Sequence, residues 1–402
     1  MKRLRKDKHP APRVQPWLGF AARFIIAPLL CRIYKARGIN KELFTDLAGP
    51  YVIVSNHTTF FDPVLIAGVI RKPIQYIVTD SLLQGVLGRI IKWTGVIPLT
   101  KGKPDNLYLR DLFAVRDAGN IIGLFPEAQT TWDGSSNSIY TTAVKVIKKM
   151  GLPIYGAKVE GGYLKEPKWA ASVRKGEIII RFKKLADPEE LRGIDPEVLL
   201  TRISHYISND DPRERKKEGR SYPSKRGAEY LERFLFSCCK CGSMDGHLVS
   251  RKNRLLCGAC GSSWNYNSYG ELTDEATREV ISLKSWNKGQ TEQLRQFLDQ
   301  SVKRGVFPPD HVAVRTGYRR NRRRKLGCGT LSAEKNGFVF RGHRTMRFPY
   351  EGITGCAMVT ADYFEFYFEN TLYDFCFLGK RGNGLKYLRI MQIVNPGGAE
   401  LN

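Results

Sequence analysis

The stretch Ser55-Asn56-His57-Thr58-Thr59-Phe60-Phe61-Asp62-Pro63 sets a histidine ahead of a carboxylate with four residues between them. Imidazole, with an ordinary pKa of about 6.5, is a general base near neutral pH. It needs a partner that selects one tautomer and stabilises the imidazolium formed when it takes a proton, and an aspartate across a short loop can be that partner. The loop holds no serine or cysteine placed as a nucleophile, so His57 would activate a hydroxyl of the substrate directly. A bland reading competes: Asp62 before Pro63 also reads as a helix N-cap with proline at the first helical position. A second element shifts the balance. Phe125-Pro126-Glu127-Ala128-Gln129 follows an apolar run, and a glutamate straight after a buried strand does not serve packing.

These residues need a scaffold that brings strand ends together. Apolar runs at 51–55, 74–78, 95–99, 121–125, 153–159 and 174–183 read as strands. Stretches at 63–71, 81–92, 105–118, 138–150 and 188–208 read as helices, and 209–228 as loop. Alternation of this kind predicts an α/β domain with a largely parallel sheet, whose ligands bind beyond the strand ends. His57 and Glu127 each follow such a strand. Gly95-Val-Ile-Pro-Leu-Thr-Lys101-Gly-Lys103 and Leu152–Gly162 each contain one, giving four elements, at or after a strand, that could converge on one face.

In these blocks the sequence resembles the glycerophospholipid acyltransferases, the lysophosphatidic acid (1-acyl-sn-glycerol-3-phosphate) acyltransferase family. Asn56, His57 and Asp62 match its Asn-His-X4-Asp block. Phe125, Pro126 and Glu127 match its Phe-Pro-Glu-Gly block, and Leu152–Val159 its apolar fourth block. The resemblance spans roughly residues 40–210. It implies that His57 deprotonates an acceptor hydroxyl, that Asp62 orients His57, and that the hydroxyl attacks the thioester of acyl-CoA or acyl-carrier protein. The expected acceptor is a lysophospholipid, 1-acyl-sn-glycerol-3-phosphate, giving phosphatidic acid. Glu127 would contact its glycerol moiety, with Phe125, Pro126 and Gln129 in the same substrate-binding block. Two departures stand out. Ala128, Gln129 and Thr130 replace the family's Gly and Arg, and Lys101 or Lys103 must replace the basic residue of the second block. Lysine is a point charge and Gln129 is neutral, so bidentate phosphate recognition is weakened.

Cys238-X2-Cys241 and Cys257-X2-Cys260 form a four-thiolate zinc pattern. With four cysteine ligands the zinc would be structural, folding a ribbon too small for a core of its own. Cys239 is spare. Beyond about residue 326, Tyr363–Phe368 alternates with a period of two, and residues 382–394 look helical. This texture is similar to pleckstrin-homology or GRAM-type domains, with Arg319–Lys325 before the first strand either touching anionic headgroups or forming a solvated basic linker. The expected organisation is therefore a basic arm and amphipathic interface helix (1–39), an acyltransferase domain (40–235), a zinc ribbon (236–270), a helical linker (271–305) and a β domain closed by a helix (306–402).

Composition bounds these readings. Hydrophobic residues at 42% and charged residues at 26% exclude wholesale disorder. No uncharged apolar run approaches the ~18 residues that span a bilayer, which excludes a polytopic membrane protein. The net charge is +26, and residues 1–39 hold ten Lys/Arg against the single Asp7. Basic clusters seek anionic partners such as lipid surfaces or nucleic acid. Trp17, Phe20 and Phe24 fall at helical spacing, with Arg23, Arg32 and Pro28 interrupting, as in a helix lying in a membrane interface. Nine cysteines, an odd number with five of them between 238 and 260, and no visible secretory signal predict a reducing compartment. The expected place is the cytoplasmic face of a membrane, held peripherally. The rival reading, a zinc-ribbon nucleic-acid-binding protein, gives His57, Asp62 and Glu127 no role.

Overall fold

The computed structural model of the chain describes residues 12, 14–100, 106–244, 246–301, 308–317, 323–379 and 382–396. Seven strands build the first sheet: β1 (Ala36–Ile39), β2 (Val52–Ser55), β3 (Ile74–Thr79), β4 (Ile97–Leu99), β5 (Ile121–Leu124), β6 (Ile154–Glu160) and β7 (Ile178–Ala186). Their order is β1-β7-β6-β2-β5-β3-β4. Only the β6–β7 pairing is antiparallel, so β6, β2, β5, β3 and β4 all run one way and end on one edge. This is the expected largely parallel α/β sheet.

Both faces of β2 are buried, which is why it reads as a continuous apolar run. Val52 and Val54 pack into a layer with Ile147, Leu199 and Ile203 from the helices Thr141–Met150 and Pro196–Ile207. Tyr51 and Ile53 face the opposite layer, with Leu65 and Ile66 of the helix Asp62–Ile70. That helix meets the helix Ala27–Tyr34 at Gly68, where a Cβ would stand 2.8 Å from Cys31 Sγ and 3.0 Å from Ala27 Cβ. Only glycine permits this approach.

The N-terminal helical stretch runs Pro16–Ala21, a π segment Ala22–Ile26, then Ala27–Tyr34. Pro28 explains the π segment. Its ring would clash with the carbonyl of Phe24 in a regular helix, and the wider turn relieves this. The arm expected at 1–16 lies mostly outside the described residues. The stretch 209–228, read as loop, contains the helix Asp211–Lys217. Asp210 accepts from Arg213 N at 3.4 Å as its N-cap, ahead of a proline in the first turn. That cap signal sits in a charge-rich segment, which hid it.

A second, antiparallel sheet follows: β8 (Leu248–Arg251), β9 (Arg254–Cys257), β10 (Ser263–Tyr266), β11 (Glu271–Asp274) and β12 (Val280–Ser282). Its last two strands occupy part of the stretch read as helical linker, and the helix there spans Leu283–Ser301. The C-terminal sheet is antiparallel throughout. Its strands are β13 (Asp310–Gly317), β14 (Arg324–Glu334), β15 (Gly337–Arg341), β16 (Thr345–Pro349), β17 (Ile353–Thr360), β18 (Tyr363–Phe368) and β19 (Thr371–Phe377), in the order β16-β15-β14-β13-β19-β18-β17. The helix Leu385–Val394 closes it, as the all-β texture led us to expect. One placement differs. Arg319–Lys325 does not precede the first strand, because β13 begins at Asp310. Residues 318–322 lie outside the described residues, and Arg324 and Lys325 open β14. The Val312-Ala313-Val314 alternation that marks β13 is too short to read from sequence.

Candidate active site

The parallel edge collects the chemistry. β2 ends at Ser55, and the Asn56 side chain clips that end to β6. Its Nδ2 donates to Val159 O at 2.8 Å, and its Oδ1 accepts from Val159 N at 2.7 Å. His57 follows. Its Nδ1 stands 3.0 Å from Asp62 Oδ2. Asp62 is wholly buried. Its Oδ2 also accepts from the backbone N–H of Thr58 (2.6 Å) and Thr59 (2.9 Å), and its Oδ1 from both threonine hydroxyls at 3.0 Å. The helix behind it has Phe61 as its N-cap, with no side-chain bond. The helix-cap reading of Asp62 therefore does not hold: the carboxylate turns back to the loop that carries His57.

Such a carboxylate selects the tautomer with hydrogen on Nδ1 and leaves Nε2 as the base. The imidazole is stacked on Phe125, with ring centroids 4.1 Å apart and planes at 19°. Phe125 stacks in turn on Tyr76 of β3 at 5.6 Å. The His57 side chain keeps 19% of its surface exposed, so the ring is held and still reachable. Its carbonyl accepts from Thr131 N at 3.0 Å. That bond ties the loop after β2 to the loop after β5.

Glu127 lies beside this pair and is 3% exposed. Its Oε2 accepts from Asn137 N (3.2 Å) and Asn137 Nδ2 (3.4 Å), while its Oε1 is buried with no hydrogen-bond partner. Burial pushes its pKa up to about 8, against the smaller opposing effects of Asn137 and the His57 backbone. Pro126 is buried and its carbonyl accepts from Tyr140 N at 3.2 Å. Gln129 is half-buried. Its backbone N donates to Glu127 O at 2.7 Å, and its carbonyl accepts from Asn137 Nδ2 at 3.1 Å. Lys101 and Lys103 lie outside the described residues. Sequence reasoning missed Thr58, Thr59 and Asn137. The two threonines sit inside the motif, where hydroxyls at such positions signal a turn clamp. Asn137 has no local signal.

The four predicted zinc ligands do come together. The Sγ atoms of Cys238, Cys241, Cys257 and Cys260 lie within 4.8 Å of one another. The pairs Cys238–Cys260 and Cys241–Cys257 are each 3.8 Å apart. Four thiolates about 2.3 Å from one ion at tetrahedral angles stand about 3.8 Å apart, so the cluster fits such an ion. Cys239 stays outside it and packs against the core.

Residues 35–159 match the family model described as Acyltransferase. This segment resembles an acyltransferase domain. Among solved structures, the chain is similar to the 1-acyl-sn-glycerophosphate (LPA) acyltransferase PlsC from Thermotoga maritima. The two share 18% identity over 47% of this chain and 78% of that one, with a TM-score of 0.40. The matched segment carries His57, Asp62 and Glu127. The β domain and the cysteine cluster lie beyond it.

Proposed function

We propose that the protein transfers a fatty acyl group from acyl-CoA or acyl-carrier protein to the hydroxyl of a lysophospholipid, 1-acyl-sn-glycerol-3-phosphate, at the cytoplasmic face of a membrane. The observation that carries this reading is the 3.0 Å contact between His57 Nδ1 and an Asp62 carboxylate held by four further donors. His57 Nε2 takes the proton of the acceptor hydroxyl as its oxygen attacks the thioester carbonyl carbon. The new C–O bond forms, the C–S bond breaks, and the imidazolium returns its proton to the departing thiolate. Asp62 stabilises the imidazolium between those steps. Glu127 Oε1, buried and unpartnered, is suited to a hydroxyl of the acceptor. Lys101 or Lys103 would meet its phosphate.

The helix with Trp17, Phe20 and Phe24, all more than half exposed and accompanied by Arg23, would rest on the membrane. Among the described residues no helix is long and apolar enough to cross one. The four cysteines would hold a structural zinc. Metal content measured on the purified protein and on Cys241→Ser checks this, with about one zinc per chain expected in the first and none in the second.

The deciding experiment is acyl transfer in lipid micelles from labelled acyl-CoA and acyl-carrier protein to a panel of lysophospholipids. Transfer to lysophosphatidate is expected, with its complete loss in His57→Ala and a fall of about 10⁴-fold in Asp62→Asn. Transfer to a different acceptor alone would keep the mechanism and change the substrate. Absence of transfer together with salt-dependent binding of nucleic acid would overturn the reading.

A further inference from the structure

We infer that the helix Gly85–Trp93 is a second membrane-docking element, which together with the N-terminal helix forms one surface for an anionic phospholipid bilayer. The inference rests on the lipid acceptor proposed above. Val86, Leu87, Ile90 and Trp93 are between 37% and 73% exposed, far more than apolar side chains on an ordinary surface helix facing its core. They fall within an arc of about 120° on the helix. Arg89 and Lys92, both exposed, follow one another on the Trp93 side of that arc, and Gly88 is buried on the protein side. A Cβ at Gly88 would lie 2.1 Å from the Leu83 carbonyl carbon, so the helix sits tight on its base with its apolar side outward.

The two helices are joined. Trp17 and Trp93 meet edge to face at 6.0 Å, and Gln15 N donates to Trp93 O at 2.9 Å. Their exposed apolar side chains therefore belong to one assembly. The helix follows β3, whose Tyr76 stacks on Phe125 beside His57, and Phe60, 47% exposed, stands in the His57–Asp62 loop.

Charge selects the occupant. Residues 14–39 and 81–99 hold Arg23, Arg32, Lys35, Arg37, Arg89 and Lys92 and no Asp or Glu. A second copy of this chain would press like charges together, whereas anionic headgroups pair with them while the tryptophans sit at the interface.

The test is co-sedimentation of the full chain with phosphatidylcholine vesicles, with and without phosphatidylglycerol. Binding to the anionic vesicles is expected. Leu87→Glu/Ile90→Glu, at exposed positions that leave the fold intact, should weaken it at least tenfold. Arg89→Gln/Lys92→Gln should weaken it about fivefold per charge. Brominated acyl chains should quench tryptophan emission less in Trp93→Phe than in the parent. Unchanged vesicle binding by Leu87→Glu/Ile90→Glu would overturn the inference. So would a dimer in sedimentation velocity that this variant dissolves. The binding readout needs no turnover, so the two readings separate. A protein that docks through this face yet transfers acyl to no acceptor sinks the enzymatic reading alone. Transfer combined with docking that ignores Leu87 and Ile90 sinks this one alone.

Discussion

At His57 the environment does two different jobs with two carboxylates. Asp62 is buried but saturated with donors, so its charge is matched and it can answer an imidazolium. Glu127 is buried with one oxygen unpartnered, and its pKa stands near 8. A carboxyl whose folded pKa lies above its ordinary 4.5 binds more protons in the folded state than in the unfolded one. Its contribution is fully present below about pH 4.5 and is lost as pH rises towards 8. Glu127→Gln removes that dependence. Thermal unfolding measured from pH 5 to pH 9 should show the variant gaining on the parent as pH rises, with the difference levelling off above pH 8. An equal pH profile for the two proteins would mean that Glu127 is ionised and solvated in the folded state.

Among the elements, the turn after β5 is the one that departs from the Phe-Pro-Glu-Gly block of the family the sequence resembles. Ala128 takes φ 57, the left-handed region, where the family has glycine. A side chain there costs about 1–2 kcal/mol, and glycine's greater freedom in the unfolded chain takes back about 0.4–1 kcal/mol. Ala128→Gly is therefore expected to stabilise the protein by about 0.5–1 kcal/mol in urea unfolding, and to leave the Glu127–Asn137 contacts in place. The same turn shows why the motif tolerates alanine. The backbone is held by Ala128 N donating to Phe125 O at 3.0 Å and Gln129 N donating to Glu127 O at 2.7 Å, so the surroundings keep the strained residue where it is.

Across the whole molecule, the C-terminal β domain is docked on the α/β domain of the first sheet by a buried charge cluster. Arg323 pairs with Asp374 and, at 3.1 Å, with Glu365, and all three side chains are 4% exposed or less. Arg323 and Glu365 both also bond Ser81 Oγ, at 2.7 and 2.6 Å, in the turn that follows β3. This is why β18 is buried on both faces although its sequence alternates. Phe364 and Phe366 pack against Phe338 inside the β domain, while Glu365 faces the neighbouring domain. One apolar cluster continues from Trp132 and Trp169 through Trp264 of the second sheet and Trp286 of the helix Leu283–Ser301 to Phe338. Arg323→Leu removes the cation that Glu365 and Asp374 share. It should cost about 3 kcal/mol or more, read as a lower denaturant midpoint. Release of the β domain as a separate early transition would show that the cluster holds the interface.

The local chain was enough to place His57 and Glu127 after strand ends, to set Asp62 across a short loop from His57 and to pair the four cysteines, because strand periodicity, turn residues and ligand spacing are short-range properties written in neighbouring residues. The same short range set the parallel sheet and the antiparallel C-terminal domain. What Asp62 faces could not be read there, since a cap and a charge partner share one sequence and differ only in which amides the folded loop presents. The partners Asn137, Thr131 and Val159 come from other segments, and their positions exist only once β2, β5 and β6 lie side by side. The grip of Arg323 on Ser81, some 240 residues apart, and the shared apolar surface of two separate helices are likewise products of packing, in which burial and charge pairing act between elements that no local pattern connects.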